Sequence, residues 1–234
     1  MRYMFRAGVL LFAAALTTQA AFAQFWVKKT YDNWSKDETQ QMLTDSPWAQ
    51  ENVLSDVRAS TAGNNLSHGN QNTGSKVTYA VQIRSAEPIR AAIVHIQELN
   101  PKFQQMPEEQ KQRIKASADA FINQKSDEIS FWIDYSCDVA SLGMDLKRYW
   151  ETQTLGTLKN TIFLQVSGAP KEDPTYFASG PNGSFEIRFP RPKNVTEKGS
   201  LTLQFNHPGV GPGSQTVLTN FKVKKLTVNG TPMF

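Results

Sequence analysis

The chain has 234 residues and a formal charge of +4, from 25 lysines and arginines against 21 aspartates and glutamates. Its basic residues are spread along the chain, without the dense stripe a nucleic-acid-binding surface needs. Cys137 is the single cysteine, which excludes an intramolecular disulfide, and none of the three histidines stands in a metal-binding spacing.

Arg2 and Arg6 precede an apolar run, Ala7 to Leu16, and small residues follow at Ala21 and Ala23. This pattern predicts a signal peptide over 1–23, cut after Ala23 to leave Gln24 first. The run is shorter than the ~20 residues a membrane span requires, so no transmembrane segment is expected after cleavage. No cysteine follows it to carry a lipid. Without Arg2 and Arg6 the balance narrows to 23 basic against 21 acidic residues.

Residues 24–59 read as an N-terminal helical clasp followed by a first strand. Ser35 and Glu38 have the spacing of a capping box, which predicts a helix running to about Thr44. Asp45, Ser46 and Pro47 then stop that helix, and Pro47 suits the first position of another helical turn. Trp34 and Trp48 flank the two starts, a placement that suits burial of both indoles against the body of the domain. Asn52 to Ala59 is weakly strand-like. Residues 60–75, rich in glycine and asparagine, read as a flexible loop in which His68 is a mobile polar side chain.

The expected α+β body spans 76–234. Val77, Tyr79, Val81 and Ile83 alternate with polar residues and mark a strand. Pro88 opens a helix to Asn100 whose apolar stripe is Ile89, Ala92, Ile93, Ile96 and Leu99. A second helix, Pro107 to Asn123, should bury Ile114, Ala118, Phe121 and Ile122. The segment Glu128 to Ser136 alternates again, and a third helix is expected from Val139 to about Trp150, weakened by Gly143.

From residue 160 onward the period is that of strands: "TIFLQV", "SFEIRF", "SLTLQF" and "TVLTNFKVKKLTV". In the last of these, Phe221 and Val223 are out of phase with Leu226 and Val228, which predicts a β-bulge at Lys224-Lys225. Asn229-Gly230 predicts a tight hairpin turn. The lysines at 222, 224 and 225 read as a solvated face or a protected sheet edge.

No nucleophile elbow, Walker loop or dinucleotide fingerprint occurs. The glycines from His207 to Ser214 read as a hairpin loop rather than a phosphate cradle, because no helix start follows them. His95 is expected to be partly exposed beside Glu98, and His207 to sit in a turn before Pro208. Cys137, among strand-like residues, reads as an inert buried thiol. Asp134 and Asp138 lie near a strand end, where carboxylates can work as acid and base; solvated strand-end residues are the plainer reading.

The segment "WSKDETQQMLTDSPWAQ" resembles a motif of exported, uncharacterised acidobacterial proteins, W-S-x-x-E followed by L-x-D-S-P-W-A. "VQIRSAEPIRAA" is similar to their strand-to-helix segment, and "FEIRFPRP" and "NFKVKKLTVNG" to their C-terminal strands. The resemblance implies a bacterial origin and an envelope location, and brings no activity or site residues with it.

The residues therefore lead to an α+β fold with helices packed on one face of a mainly antiparallel sheet and a strand-rich C-terminal half. A helical half joined to a separate β-sandwich after about residue 156 is the alternative. The expected function is non-enzymatic binding of an envelope protein or cell-wall component in the periplasm or outside the cell, with no catalytic residue, metal or cofactor assigned. The alternative is a hydrolase that attacks an envelope polysaccharide through dispersed carboxylates.

Overall fold

The computed structural model describes residues 24–57, 75–193, 195–208 and 215–234. The expected signal peptide, the loop from 60 to 74 with His68, and the glycines from 209 to 213 lie outside the described residues.

The chain enters through a short helix α1 (Phe25–Lys28), a 3-10 turn (Tyr31–Asn33) and helix α2 (Lys36–Thr44). The capping box forms as expected: Ser35 Oγ accepts from the Glu38 N–H, and the Glu38 carboxylate accepts from the Ser35 N–H. The second start at Ser46–Pro47 is a correction. Ser46 and Ala49 exchange backbone hydrogen bonds across a tight turn, and strand β1 (Ala49–Val57) begins three residues before the expected Asn52. Proline fits the first position of a turn as well as that of a helix, so residue identity alone left the choice open.

Strand β2 (Ser75–Ile83) is followed by α3 (Glu87–Glu98), α4 (Pro101–Gln104) and α5 (Glu108–Ile122). Then come β3 (Glu128–Cys137), α6 (Ala140–Thr152) and α7 (Leu155–Leu158). The remainder is strand-rich: β4 (Ile162–Val166), β5 (Lys171–Glu172), β6 (Tyr176–Gly180), β7 (Ser184–Pro190), β8 (Ser200–Asn206) and β9 (Thr216–Lys222). A helical turn α8 (Val223–Leu226) and the hairpin β10 (Thr227–Val228) and β11 (Thr231–Pro232) end the chain.

All named strand pairs are antiparallel, so the chain is α+β with mainly antiparallel sheets. One sheet has the order β1-β2-β3-β7-β6 and another the order β5-β4-β8-β9. Period-2 alternation puts Val81, Ile133 and Phe185 in register on one face of the first sheet. Leu164, Leu203 and Thr219 line up likewise in the second.

These faces meet each other. Tyr79 packs edge-on to Phe205 at 5.1 Å, and Phe131 and Phe185 lie 6.0 Å from Phe221 and Phe205. A polar tie crosses as well, from Asn52 Nδ2 to Thr219 Oγ1 at 2.7 Å. The inner face of the larger sheet thus meets the second sheet and also Trp150 of α6, which stacks on Phe185 at 4.2 Å. Alternation along a strand specifies that one face is buried, and leaves open what buries it. Helices α3 and α5 pack on each other, and α3 also contacts α2 and the 3-10 turn. Buried residues of both sheets, α1 to α3, α5 and α6 belong to one core cluster.

The phase reversal after Phe221 is resolved by a helical turn instead of the expected bulge. In α8, Val223 and Leu226 both reach the core, three residues apart, while Lys224 and Lys225 stay exposed. The expected turn at Asn229-Gly230 forms, with φ of 49° and 79° and Val228 paired to Thr231.

Arg90 fixes the base of the α3–α5 pair. Its buried guanidinium donates to the Ile122 carbonyl at 2.7 and 3.0 Å, to the Gln124 carbonyl at 3.1 Å and to the Ser85 carbonyl. The Ile122 and Gln124 carbonyls lie at the C-terminal end of α5, where no intrahelical donor remains, and Ser85 lies just before α3. Arg90→Met should therefore lower stability by about 1–3 kcal/mol, read from denaturant unfolding. An unchanged midpoint would show that the guanidinium is dispensable there.

Candidate functional site

Beyond that anchored base, α3 and α5 leave a groove closed at one end by α4. Its floor is Val94, Phe103 and Ala118, which are buried. Ile93 of α3 and Ile114 and Phe121 of α5 also line it, with Met106 from the link between α4 and α5. Glu98 and Lys102 stand among its polar lining residues. The cavity measures 540 Å³, within the ~300–1,000 Å³ typical of binding pockets.

Ile114, Ala118 and Phe121 fall at i, i+4 and i+7, one stripe of α5. The sequence predicts that whole stripe to be core. Ala118 and Ile122 are buried, but Ile114 is 41% exposed and Phe121 40% exposed. Leu99, at the end of the expected α3 stripe, is 38% exposed. The stripe is real, and half of it has no cover within the described chain.

The clasp supports the groove from behind. His95, expected to be partly exposed, is buried, and its Nε2 lies 2.8 Å from the Trp34 carbonyl, to which it donates. Nδ1 stands 3.6 Å from the Glu98 carboxylate. Tyr31 OH reaches Asp119 on α5 at 3.5 Å. The missed signal was Trp34 itself: an indole buried at the start of the clasp needs a neighbouring helix, and His95 is on the face that supplies it.

The carboxylates singled out in the sequence do not converge. Asp134 accepts the Trp132 indole N–H at 3.0 Å on the outward face of the larger sheet. Asp138 accepts the Lys76 backbone N–H at 2.8 Å, closing the end of the β2–β3 ladder. Four residues along a strand separates them by ~13 Å. On that outward face Arg84 stacks on Trp132 at 4.8 Å. Arg188 stacks on Tyr176 at 4.2 Å while pairing with Glu186 at 2.8 Å and Glu128 at 3.7 Å. Glu128 thus pairs across from β3 to β7, and Glu186 pairs along β7.

Cys137 is half-buried; burial pushes its thiol up from the ordinary value, which keeps it protonated at neutral pH. His207 is buried, with Nδ1 2.7 Å from Tyr79 OH. Burial lowers its pKa to about 4, so the imidazole is neutral at pH 7. Among the described residues no group of three or more His, Cys, Asp or Glu side chains could hold a metal ion. None of the described helices is long and apolar enough to cross a membrane.

No protein-family model matches the sequence. No curated protein matches it either. Among solved structures, a protein of unknown function from Burkholderia pseudomallei K96243 is similar with a TM-score of 0.38 and 9% identity, over 61% of this chain and 72% of that one. A likeness of that size carries no argument about function. The reading rests on the groove.

Proposed function

We propose that the chain is an exported bacterial envelope protein, of the acidobacterial kind its Trp34–Ala49 motif resembles, and that it works by binding another protein without catalysing a reaction. The observation that carries this reading is the uncovered half of the α5 stripe, Ile114 and Phe121, facing Ile93 across an apolar valley. Apolar residues at helical spacing on both walls suit an amphipathic helix, whose own stripe would complete a three-helix contact. Glu98 and Lys102 then supply charges of both signs to fix its register. The separation of Asp134 from Asp138 and the arginine pairing of Glu128 and Glu186 favour binding over hydrolysis.

The test is the double substitution Ile114→Glu and Phe121→Glu. Both positions are exposed, so stability should change by no more than about 1 kcal/mol in a thermal melt. Recovery of a specific protein partner from the native envelope should be lost with the variant and seen with the unmodified chain. A partner held equally by both proteins would refute the groove as its site.

A further inference from the structure

The lysines at 222, 224 and 225 find a place on the opposite side of the clasp. A second cavity, of 1260 Å³, opens between the segment from α1 to the start of β1 and the chain from β9 to the β10–β11 turn. Beneath it the two walls are tied together: the Trp48 indole donates to the Met233 carbonyl, and Trp26 packs edge-on to Trp48 at 5.7 Å. The cleft is therefore built into the closed fold, and little ordering is needed to form it.

Its lining is chemically mixed in a definite way. Trp26 is half-buried and presents an aromatic surface. Gln41, Gln50, Asn220 and Asn229 bring carboxamides, each of which both donates and accepts hydrogen bonds. Asn220 already donates to Thr202 Oγ1 at 2.9 Å, which leaves its carbonyl oxygen as acceptor. Lys222, Lys224 and Lys225 are exposed on one wall, and none forms an ion pair with a carboxylate of the described residues. The helical turn α8 is what brings the last two there, because it buries Val223 and Leu226 and turns the intervening lysines outward. Asp45 and Glu51 are also among the lining residues.

We infer that this cleft binds a segment of acidic polysaccharide, a second site separate from the helical groove. Sugar rings offer C–H faces to an aromatic side chain and hydroxyl groups to carboxamides, and sparse carboxylates on the chain meet the three ammonium groups. The two lining carboxylates oppose a polymer with a charge at every unit spacing of a nucleic-acid backbone, whose neutralisation needs a dense cationic track.

Isothermal titration with uronic-acid oligosaccharides, and with neutral gluco-oligosaccharides of the same length, tests the inference. The acidic oligomer should bind saturably and at least about tenfold more tightly than the neutral one. The Lys222→Gln, Lys224→Gln, Lys225→Gln triple variant should lose about tenfold in affinity while keeping its melting temperature, since all three side chains are exposed. The Ile114→Glu, Phe121→Glu variant should bind the oligomer as the unmodified chain does, so failure here and failure of the groove reading are distinguishable. No saturable binding up to about 10 mM, undiminished binding by the triple variant, or equal binding of a poly-glutamate peptide would each overturn it.

Discussion

Replacing Trp48 with alanine should lower the free energy of unfolding by about 3–5 kcal/mol, the cost of truncating a large aromatic in a packed site. Trp48 is fully buried, and its indole N–H is bonded to the Met233 carbonyl near the far end of the chain. Its own carbonyl accepts the Ile83 N–H, so the clasp also ends the β2 ladder. Beside it, Gln82 donates to the Leu43 carbonyl at 2.6 Å. Trp34 is buried too, edge-on to Phe25 at 5.2 Å, and Trp34→Ala should be destabilising by the same mechanism. Denaturant unfolding of both variants is the check. Unchanged midpoints would mean that the tryptophans serve a ligand surface and do not hold the clasp closed.

The second large effect concerns acid. His207 is buried against Tyr79, with the Phe205 ring 5.1 Å from Tyr79 and the Trp150 indole 5.9 Å from Phe205. Burial depresses its pKa to about 4 from an ordinary 6.5, so the unfolded chain binds the proton more readily than the folded one. Stability is therefore complete above pH 6.5, falls as the pH drops from there toward 4, and levels off below. A displacement of this size corresponds to about 3 kcal/mol. Glu38, held below the usual carboxylate range by Lys29 and the Ser35 N–H, loses its contribution only as the pH falls below its ordinary value, about 4.5. Between pH 6.5 and 4.5 the contribution of His207 thus changes while that of Glu38 does not. Unfolding free energies at several pH values in that interval should slope in the unmodified chain and be flatter in His207→Phe. An equal slope in both would assign the acid sensitivity elsewhere.

The periodic signals in the sequence translate well. Alternation at Val77 to Ile83 and at Ile129 to Tyr135 is reproduced as alternate burial, and the Ser35–Glu38 capping box forms. Short segments carry too few repeats of any period, which is why β5, the edge strand β6 and the short helices α4 and α7 went unrecognised. A reversal of phase was also ambiguous. At Lys224-Lys225 one extra strand residue and one helical turn predict the same switch, and the buried pair Val223 and Leu226 requires the turn.

The groove was half legible. Ile114, Ala118, Phe121 and Ile122 plainly form an amphipathic stripe, but a stripe awaiting a partner protein and one buried in its own core have the same composition. Only the packing of α3 and α5 distinguishes them, since it covers Ala118 and Ile122 and leaves Ile114 and Phe121 outside. The cleft at Trp26 was hidden for a different reason. Its walls come from opposite ends of the chain, and no spacing in one sequence brings Gln41 beside Asn229.

Site-specific photo-crosslinking in the native envelope tests the central claim most directly. A photoreactive residue placed at Phe121 should give one discrete protein adduct, mapped to an amphipathic helix and abolished by Ile114→Glu. The same residue at Val53, exposed on β1 outside the groove lining, should not give that adduct. Identical adducts from both positions, or none from position 121, would contradict the assignment of the α3–α5 groove as the binding site.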